Sequence, residues 1–382
     1  METVRVLHFL IGGSTFTGIA SFLHQYYKYI DRNAVKFDFV FASKNSMQLV
    51  LDDPIFADST FTELHAVSDD LRHYDYKKIT REIEQLLRNG NYDALHINTH
   101  RVGVNIACIV GAKRAGTKTI ISHSHNVRRF IAGRSRKRWL VDIEKAVCAI
   151  YIRNQCDYLF ACSKNAGIAL FGKTGVKMSK FKVIKNAIDT NAFIYNESVR
   201  NSVREREIHG KSTLVLGQIG RLSIQKNQLF SIEVLSELIK RGIDAQLWLI
   251  GNGKDEENLR QKVLELNVIE QVRFFGQRTD VAQLMQGIDA LLFPSTYEGL
   301  GIVAIEAQAA SLPTYASTEI PEETRITDLI SYLPLSDGAQ KWAEFIIADV
   351  RRHVRRNTQD EIIASGYEIR SAAKWLENFY LT

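Results

Sequence analysis

The stretch Thr213-Leu-Val-Leu-Gly-Gln-Ile219-Gly220-Arg221-Leu222-Ser223-Ile224-Gln225-Lys226-Asn227 decides the fold. A β-branched, apolar run over Thr213–Ile219 meets a glycine and a short polar loop. An amphipathic pattern then begins, over about Asn227–Arg241. The same unit recurs downstream. Candidate strands Ala245–Ile250, Val272–Phe275, Ala290–Phe293 and Pro313–Ala316 alternate with helical patterns near Glu256–Leu266, Val281–Gln286 and Gly301–Ala310. Upstream, the rhythm runs through Val4–Ile11, Lys36–Phe41, Ala94–Ile97, Lys118–Ser122, Tyr158–Ala161 and Lys182–Ile184. Helical patterns over Gly18–Asp31, Lys77–Asn89 and Asn105–Ala115 lie between them. Strands separated by helices in this way predict parallel, doubly wound sheets.

A chain of 382 residues exceeds what one hydrophobic core supports, so two α/β Rossmann-like domains are expected. The first spans 1–189 and the second 212–366. The polar, charged stretch 190–211 reads as the linker. A helical pattern within 367–382 has no strand after it, and is expected to cross back onto the N-terminal domain. Two such domains in series predict a central cleft faced by strand carboxyl ends, where ligands of doubly wound folds sit.

Hydrophobic and charged contents of 45% and 24% are those of an ordinary folded chain. The cysteines Cys108, Cys148, Cys156 and Cys162 lack metal-ligand spacing, and read as buried apolar residues in a reducing compartment. No apolar run approaches the ~18 residues of a membrane span, and the N-terminal apolar core is too short for a signal peptide. A cytoplasmic protein is expected. Net charge is +6, and residues 128–138 hold Arg128, Arg129, Arg134, Arg136, Lys137 and Arg138. That run suits an anionic membrane surface or a pyrophosphate-bearing acceptor, and so a peripheral position on the inner face of the cell membrane. No aromatic-basic motif favours nucleic acid.

Candidate chemistry lies just after the strands. Arg221 and Lys226 are two cations at a strand's end that can meet one diphosphate, Arg as a fork and Lys as a point charge. In Phe293-Pro-Ser-Thr-Tyr-Glu298-Gly299-Leu300-Gly301-Ile302-Val-Ala-Ile-Glu306, one carboxylate falls in a turn and another on the following helix. Carboxylates accept paired hydrogen bonds from vicinal hydroxyls, so the two suit the ribose and the sugar of a sugar nucleotide. The free N–H groups of Gly299, Leu300, Gly301 and Ile302 suit the oxygens between. Gly12-Gly13 after the first strand lets backbone approach a ligand closely.

These stretches resemble those of retaining GT-B glycosyltransferases of family four (glycosyl transferases group 1), the capsular and exopolysaccharide type in particular. Glu298–Glu306 matches the family's E-x7-E motif. Gly220-Arg221…Lys226, the Gly12-Gly13 turn and Val183-Ile-Lys-Asn186-Ala-Ile-Asp189 match further recurring stretches. Lys185 stands where the family often has proline. The resemblance implies a metal-independent hexosyltransferase that needs no cofactor. It would move a hexose or N-acetylhexosamine from a nucleotide sugar, a UDP-sugar by expectation, to a saccharide acceptor that is commonly lipid-pyrophosphate-linked. It implies that Arg221 and Lys226 neutralise the diphosphate, that Glu306 binds ribose, that Glu298 meets the donor sugar, and that Gly13 brings backbone to phosphate. Attack comes from the front face, with the departing phosphate taking the acceptor's proton. The family places a histidine after an N-terminal strand, and here Ile121-Ser122-His123-Ser124-His125-Asn126 offers both His123 and His125. Two rival readings share the donor site: a GT-B sugar-nucleotide epimerase and a non-catalytic sugar-nucleotide-binding partner.

Overall fold

The computed structural model describes residues 3–11, 18–41, 54–66, 73–125, 138–208 and 213–382. The chain forms two compact units, Met1–Ala187 with Glu368–Thr382, and Ile188–Tyr367. Each is built on one parallel sheet, as the alternation of the sequence predicts.

The first sheet has the order β3-β2-β1-β4-β5-β6-β7. Its strands are β1 (Val4–Leu10), β2 (Val35–Phe41), β3 (Phe61–Glu63), β4 (Ala94–Asn98), β5 (Thr119–Ser124), β6 (Tyr158–Ala161) and β7 (Phe181–Val183). A parallel sheet is covered on both faces, which is why its strands are almost wholly apolar. On one face Val6, Leu10, Phe37 and Phe39 pack under Phe22, Leu23, Tyr26 and Tyr27 of helix Gly18–Tyr29. On the other, Leu7, Phe9, Leu95, Ile97 and Ile120 meet Ile79 and Ile83 of helix Tyr76–Gly90, and Val104 and Cys108 of helix Val102–Ala115. Helix Tyr76–Gly90 starts where the Asp75 side chain accepts from Lys78 N, and stops at Asn91 in the left-handed region at φ 49°.

The terminal helix Ile369–Leu381 belongs to this unit. Ile369, Ala373, Leu376 and Tyr380 recur at i, i+4, i+7 and i+11, one buried stripe laid beside helix Gly18–Tyr29. At about 1.5–3 kcal/mol for each large apolar side chain removed from water, that stripe is what holds it. Glu377, nearly buried, accepts from Asp31 N at 2.8 Å.

The second sheet has the order β10-β9-β8-β11-β12-β13. It comprises β8 (Leu214–Ile219), β9 (Ala245–Ile250), β10 (Val272–Gly276), β11 (Ala290–Phe293), β12 (Thr314–Ser317) and β13 (Ile330–Leu333). The edge strands β3 and β13 escape sequence reading: β3 is wholly and β13 largely only partly buried, so neither carries the apolar run of a covered strand.

The stretch 190–211, expected as a linker, is different in the structure. It contributes helices Thr190–Phe193 and Glu197–Glu207 to the second unit. Asn196 caps the second of these by accepting from Val199 N, Val203 is buried, and Arg200 and Arg204 both hold Asp289. A helix that buries one valine and anchors by charge looks like linker by composition alone.

In both sheets the strand order reverses at a switch point, between β1 and β4 in the first and between β8 and β11 in the second. Ligands of such sheets sit beyond the carboxyl ends at that point. Among the described residues no helix is long and apolar enough to cross a membrane.

Candidate active site

In the second unit, the loops after β8 and β11 are held together by backbone and side-chain hydrogen bonds. Thr296 N donates to Gln225 O at 2.9 Å, Gln225 Nε2 to Tyr297 O at 2.9 Å, and Asn227 Nδ2 to Pro294 O at 3.2 Å. Gln218, the polar residue near the end of β8, donates to Lys226 O at 2.7 Å. These bonds bring Lys226 Nζ to 2.7 Å from Glu298 Oε1, with the ammonium 5.1 Å from the Phe293 ring centroid. The pair lies largely out of water, the two side chains being 17% and 10% exposed. An ion pair so placed is not the screened surface kind.

The β8 loop can pass this close because of its glycines. Gly220 has φ 141°, and a Cβ on Gly251 would stand 2.2 Å from Gly220 O. Gly220 N donates to Ile250 O and Leu222 N to Asn252 O, so the loops after β8 and β9 lie backbone against backbone. Gly301, at φ 91°, caps helix Ile302–Ala309.

Glu306 stands on the second turn of that helix. It is half-buried, and its carboxylate has no hydrogen-bond or salt-bridge partner among the described residues. Burial pushes its carboxyl up to about 7, and Lys226 pulls it partly back. A carboxyl this perturbed and without a partner, next to a strand-end cation, is a candidate ligand contact. Arg221 is exposed, and its guanidinium makes no ion pair among the described residues. Its carbonyl accepts from Gln228 Nε2 at 2.9 Å. Gly299 and Ile302 are partly buried at the helix start, whereas Leu300 packs in a cluster with Ile188 and Tyr367. The structure thus brings Lys226, Glu298 and Glu306 together, with Arg221 on the same loop.

At the first unit's switch point lies a column of histidines. His8 on β1 pairs in register with His96 on β4, and Asn98 with His123 on β5. His96 Nε2 is 3.0 Å from His123 Nδ1, and His96 Nδ1 is 2.5 Å from the Tyr380 hydroxyl of the terminal helix. His125 Nε2 donates to Asn98 Oδ1 at 2.9 Å, and Asn98 Nδ2 donates to His8 Nδ1 at 3.2 Å. Burial first, and neighbouring histidines second, lower all four imidazoles: His8 and His125 to about 3, His96 and His123 well below the usual range. His123 is fully buried in this network, edge-on to Phe22, and its Nε2 has no hydrogen-bond partner among the described residues. His125 is partly exposed, and its ring lies tilted against that of His123 with centroids 3.8 Å apart. The sequence left that choice open; His123 is the fully buried ring of the two and His125 the partly buried one. Gly13, Asn126 and Arg128–Lys137 lie outside the described residues.

Sequence reasoning passed over Gln218, Gln225 and Asn227, which set the Lys226–Glu298 pair, and His8, His96 and Tyr380, which form the network that His123 joins through His96. The available signal was a lone polar residue in an apolar strand: Gln218 in β8, His8 in β1, His96 in β4.

With the geometry in place, the likenesses to known proteins can be read. Residues 199–326 match the family model for glycosyl transferases group 1. EpsF of Bacillus subtilis, named as a glycosyltransferase, is 27% identical over 98% of this chain and 96% of its own. An Escherichia coli UDP-Gal:alpha-D-GlcNAc-diphosphoundecaprenol alpha-1,3-galactosyltransferase is 26% identical over 61% of this chain and 59% of its own. Among solved structures, HepE of Anabaena in complex with UDP superposes with a TM-score of 0.76 at 17% identity, covering 98% of this chain and 99% of that one. The glycosyltransferase WaaG gives 0.72 at 16%, with 98% and 99% covered. Those two show the fold alone, the pair of Rossmann-like units called GT-B. The matched segment holds Lys226, Glu298 and Glu306, and together these likenesses support a glycosyltransferase of group 1.

Proposed function

We propose that the protein is a retaining hexosyltransferase that transfers a hexose or N-acetylhexosamine from a UDP-sugar to a lipid-pyrophosphate-linked saccharide in cell-surface polysaccharide assembly. The observation that carries this reading is the Lys226–Glu298 pair beside the partnerless carboxylate of Glu306. Lys226 and Arg221 would neutralise the diphosphate, with Arg221 the freer of the two to fork onto it. Diphosphate oxygens compete with Glu298 for the ammonium. Donor binding therefore frees Glu298 to accept hydroxyl hydrogens of the sugar while Glu306 takes the ribose diol. The helix start at Gly301 and Ile302 would offer N–H groups between them. His123 or His125 is proposed to meet the donor sugar, and Gly13 the phosphate.

In the transfer step the anomeric C–O bond to the diphosphate breaks, and its electron pair leaves on the phosphate oxygen. The acceptor oxygen bonds the anomeric carbon on the same face, and its proton passes to that departing oxygen. Lys226 and Arg221 supply the charge stabilisation, so we expect no metal or cofactor to be required. The galactosyltransferase named above acts on a diphosphoundecaprenol-linked sugar, which supports a lipid-linked acceptor here. The test is product analysis after incubation with UDP-sugars and such an acceptor. Epimer formation without acceptor would replace this reading with the epimerase, and nucleotide binding without any turnover with the non-catalytic partner.

Two narrower results are expected. An ionised Glu306 accepts two hydroxyl hydrogens and a protonated one gives up part of that capacity, so UDP affinity should fall from pH 8 to pH 6, by at most about tenfold. Glu306→Gln should flatten that profile in calorimetric titrations; an unchanged wild-type affinity across the range would remove the ribose role. The basic sequence 128–138 should bind anionic vesicles at low salt and release them at high salt, because exposed charges are screened within about 10 Å at 0.1 M. Neutralising Arg134, Arg136, Lys137 and Arg138 should abolish sedimentation with vesicles, and salt-independent binding would discard the idea.

A further inference from the structure

The second unit has another lined opening, at the opposite edge of its sheet from Lys226 and Glu298. Beyond the amino ends of β8, β11 and β12 lies a cavity of about 520 Å³, lined by Arg200, Arg204, Asp289, Arg351, His353 and Arg355. Its volume falls in the range of small-molecule sites, about 300–1,000 Å³.

Its charges do not balance. Arg200 and Arg204 share the one carboxylate of Asp289, at 2.5 and 3.0 Å. Among the described residues Arg355 pairs with no carboxylate: it donates to the carbonyl oxygens of Ala310, at 2.7 Å, and Ile288, and lies over the Tyr195 ring. Burial, and next to it the charge of Arg200, lower the Arg355 guanidinium to about 10. Arg351 lines the opening, exposed and without an ion pair among the described residues. Of the two other acids nearby, Asp349 is taken by His353 at 3.0 Å, and Asp244 accepts from the Thr213 hydroxyl at 2.9 Å.

A sequestered guanidinium costs free energy unless an anion pairs with it. Arg200 donates to the carbonyls of Gln286 and Ile288, Arg204 to those of Gly287 and Thr213, and Arg355 to those of Ala310 and Ile288, which fixes three forks in place. Of the five N–H groups on each guanidinium, Arg200 and Arg204 each spend three with Asp289 included, and Arg355 two. Fixed forks with N–H groups to spare match the oxygens of a phosphate. We propose that this cavity is a binding site for a phosphate group, free or carried on a small monoester, distinct from the residues proposed to hold the donor.

The experiment is calorimetric titration of the full chain with inorganic phosphate and, separately, with a hexose 6-phosphate, at ionic strength matched with sodium chloride. Saturable binding at one site per chain is expected. Tighter binding of the ester would assign a phosphomonoester, and equal affinities free phosphate. Arg351→Gln removes a side chain that holds no other group, so it should leave the ligand-free melting temperature unchanged. It should also weaken phosphate binding roughly tenfold, the size of one lost charge-assisted contact. Arg355→Lys should weaken it as well; should that variant fail to fold, Arg351→Gln decides alone. Lys226→Ala should bind phosphate as the wild type does. Binding lost in Lys226→Ala but kept in Arg351→Gln would place the phosphate in the donor site and overturn the proposal, as would no saturable binding at all.

Discussion

Lys226→Ala is expected to lower sugar transfer about 10²–10³-fold while the second unit stays folded, the size of loss seen when one preorganised charge-stabilising donor is removed. The ammonium is held by geometry: Gln218 accounts for its carbonyl, Phe293 faces its charge, and Glu298 sits at 2.7 Å. In the proposed reaction it meets the diphosphate as negative charge builds there, so its loss falls on kcat more than on KM. Without it Glu298 is also left partly buried and uncompensated. Lys226→Ala should therefore weaken the effect of Glu298→Gln, and a double-mutant cycle should show coupling of about 0.5–3 kcal/mol. Steady-state kinetics on the single and double variants measure both quantities. Near-normal transfer by Lys226→Ala would end the diphosphate assignment, and strict additivity would end the idea that the pair acts as one device.

Acid is expected to unfold the first unit well before the second. His8, His96 and His123 are fully buried and His125 largely so, in a network with Asn98 and Tyr380. Their folded values lie far below the ~6.5 of an unfolded histidine. The sign follows directly. As pH falls through 6.5 the unfolded chain binds protons that the folded unit refuses, so stability is full above about pH 7 and is lost as pH falls toward 3. One pH unit below 6.5 each neutral histidine forfeits a little over 1 kcal/mol, and the four together about 5 kcal/mol. That is comparable to the whole stability of a typical domain. Denaturant titrations followed by near-ultraviolet circular dichroism at pH 7.5 and 5.5 would measure it. His8→Phe, set beside Phe37 and Phe39, should remove about a quarter of the acid loss. A first unit equally stable at both pH values would show that the network takes up protons without opening.

Much of this could be read from the residues. Strand order aside, the doubly wound class, the helix Ile369–Leu381 seeking a face, and the strand-end position of Lys226, Glu298 and Glu306 all follow from apolar period and turn glycines, which are local. Chain order also places Lys226 after β8 and Glu298 after β11, because parallel strands with helical crossovers leave every such loop at one edge of the sheet. Residues 190–211 could not be read, since their composition is polar and what Arg200 and Arg204 hold, Asp289 and the carbonyls before it, lies mostly some 85–90 residues on.

Tertiary structure alone decided the rest. That Lys226 meets Glu298 in an ion pair depends on Gln225 and Asn227 tying together loops some 70 residues apart. That His123 is buried depends on Phe22, brought to it by the first helix, and on His96, which Tyr380 of the last helix holds. That Glu306 stands near pH 7 depends on how much protein surrounds it. Each of these is a property of distance and desolvation between groups remote in the chain, and a one-dimensional pattern carries spacing along the backbone but not the dielectric through which charges interact.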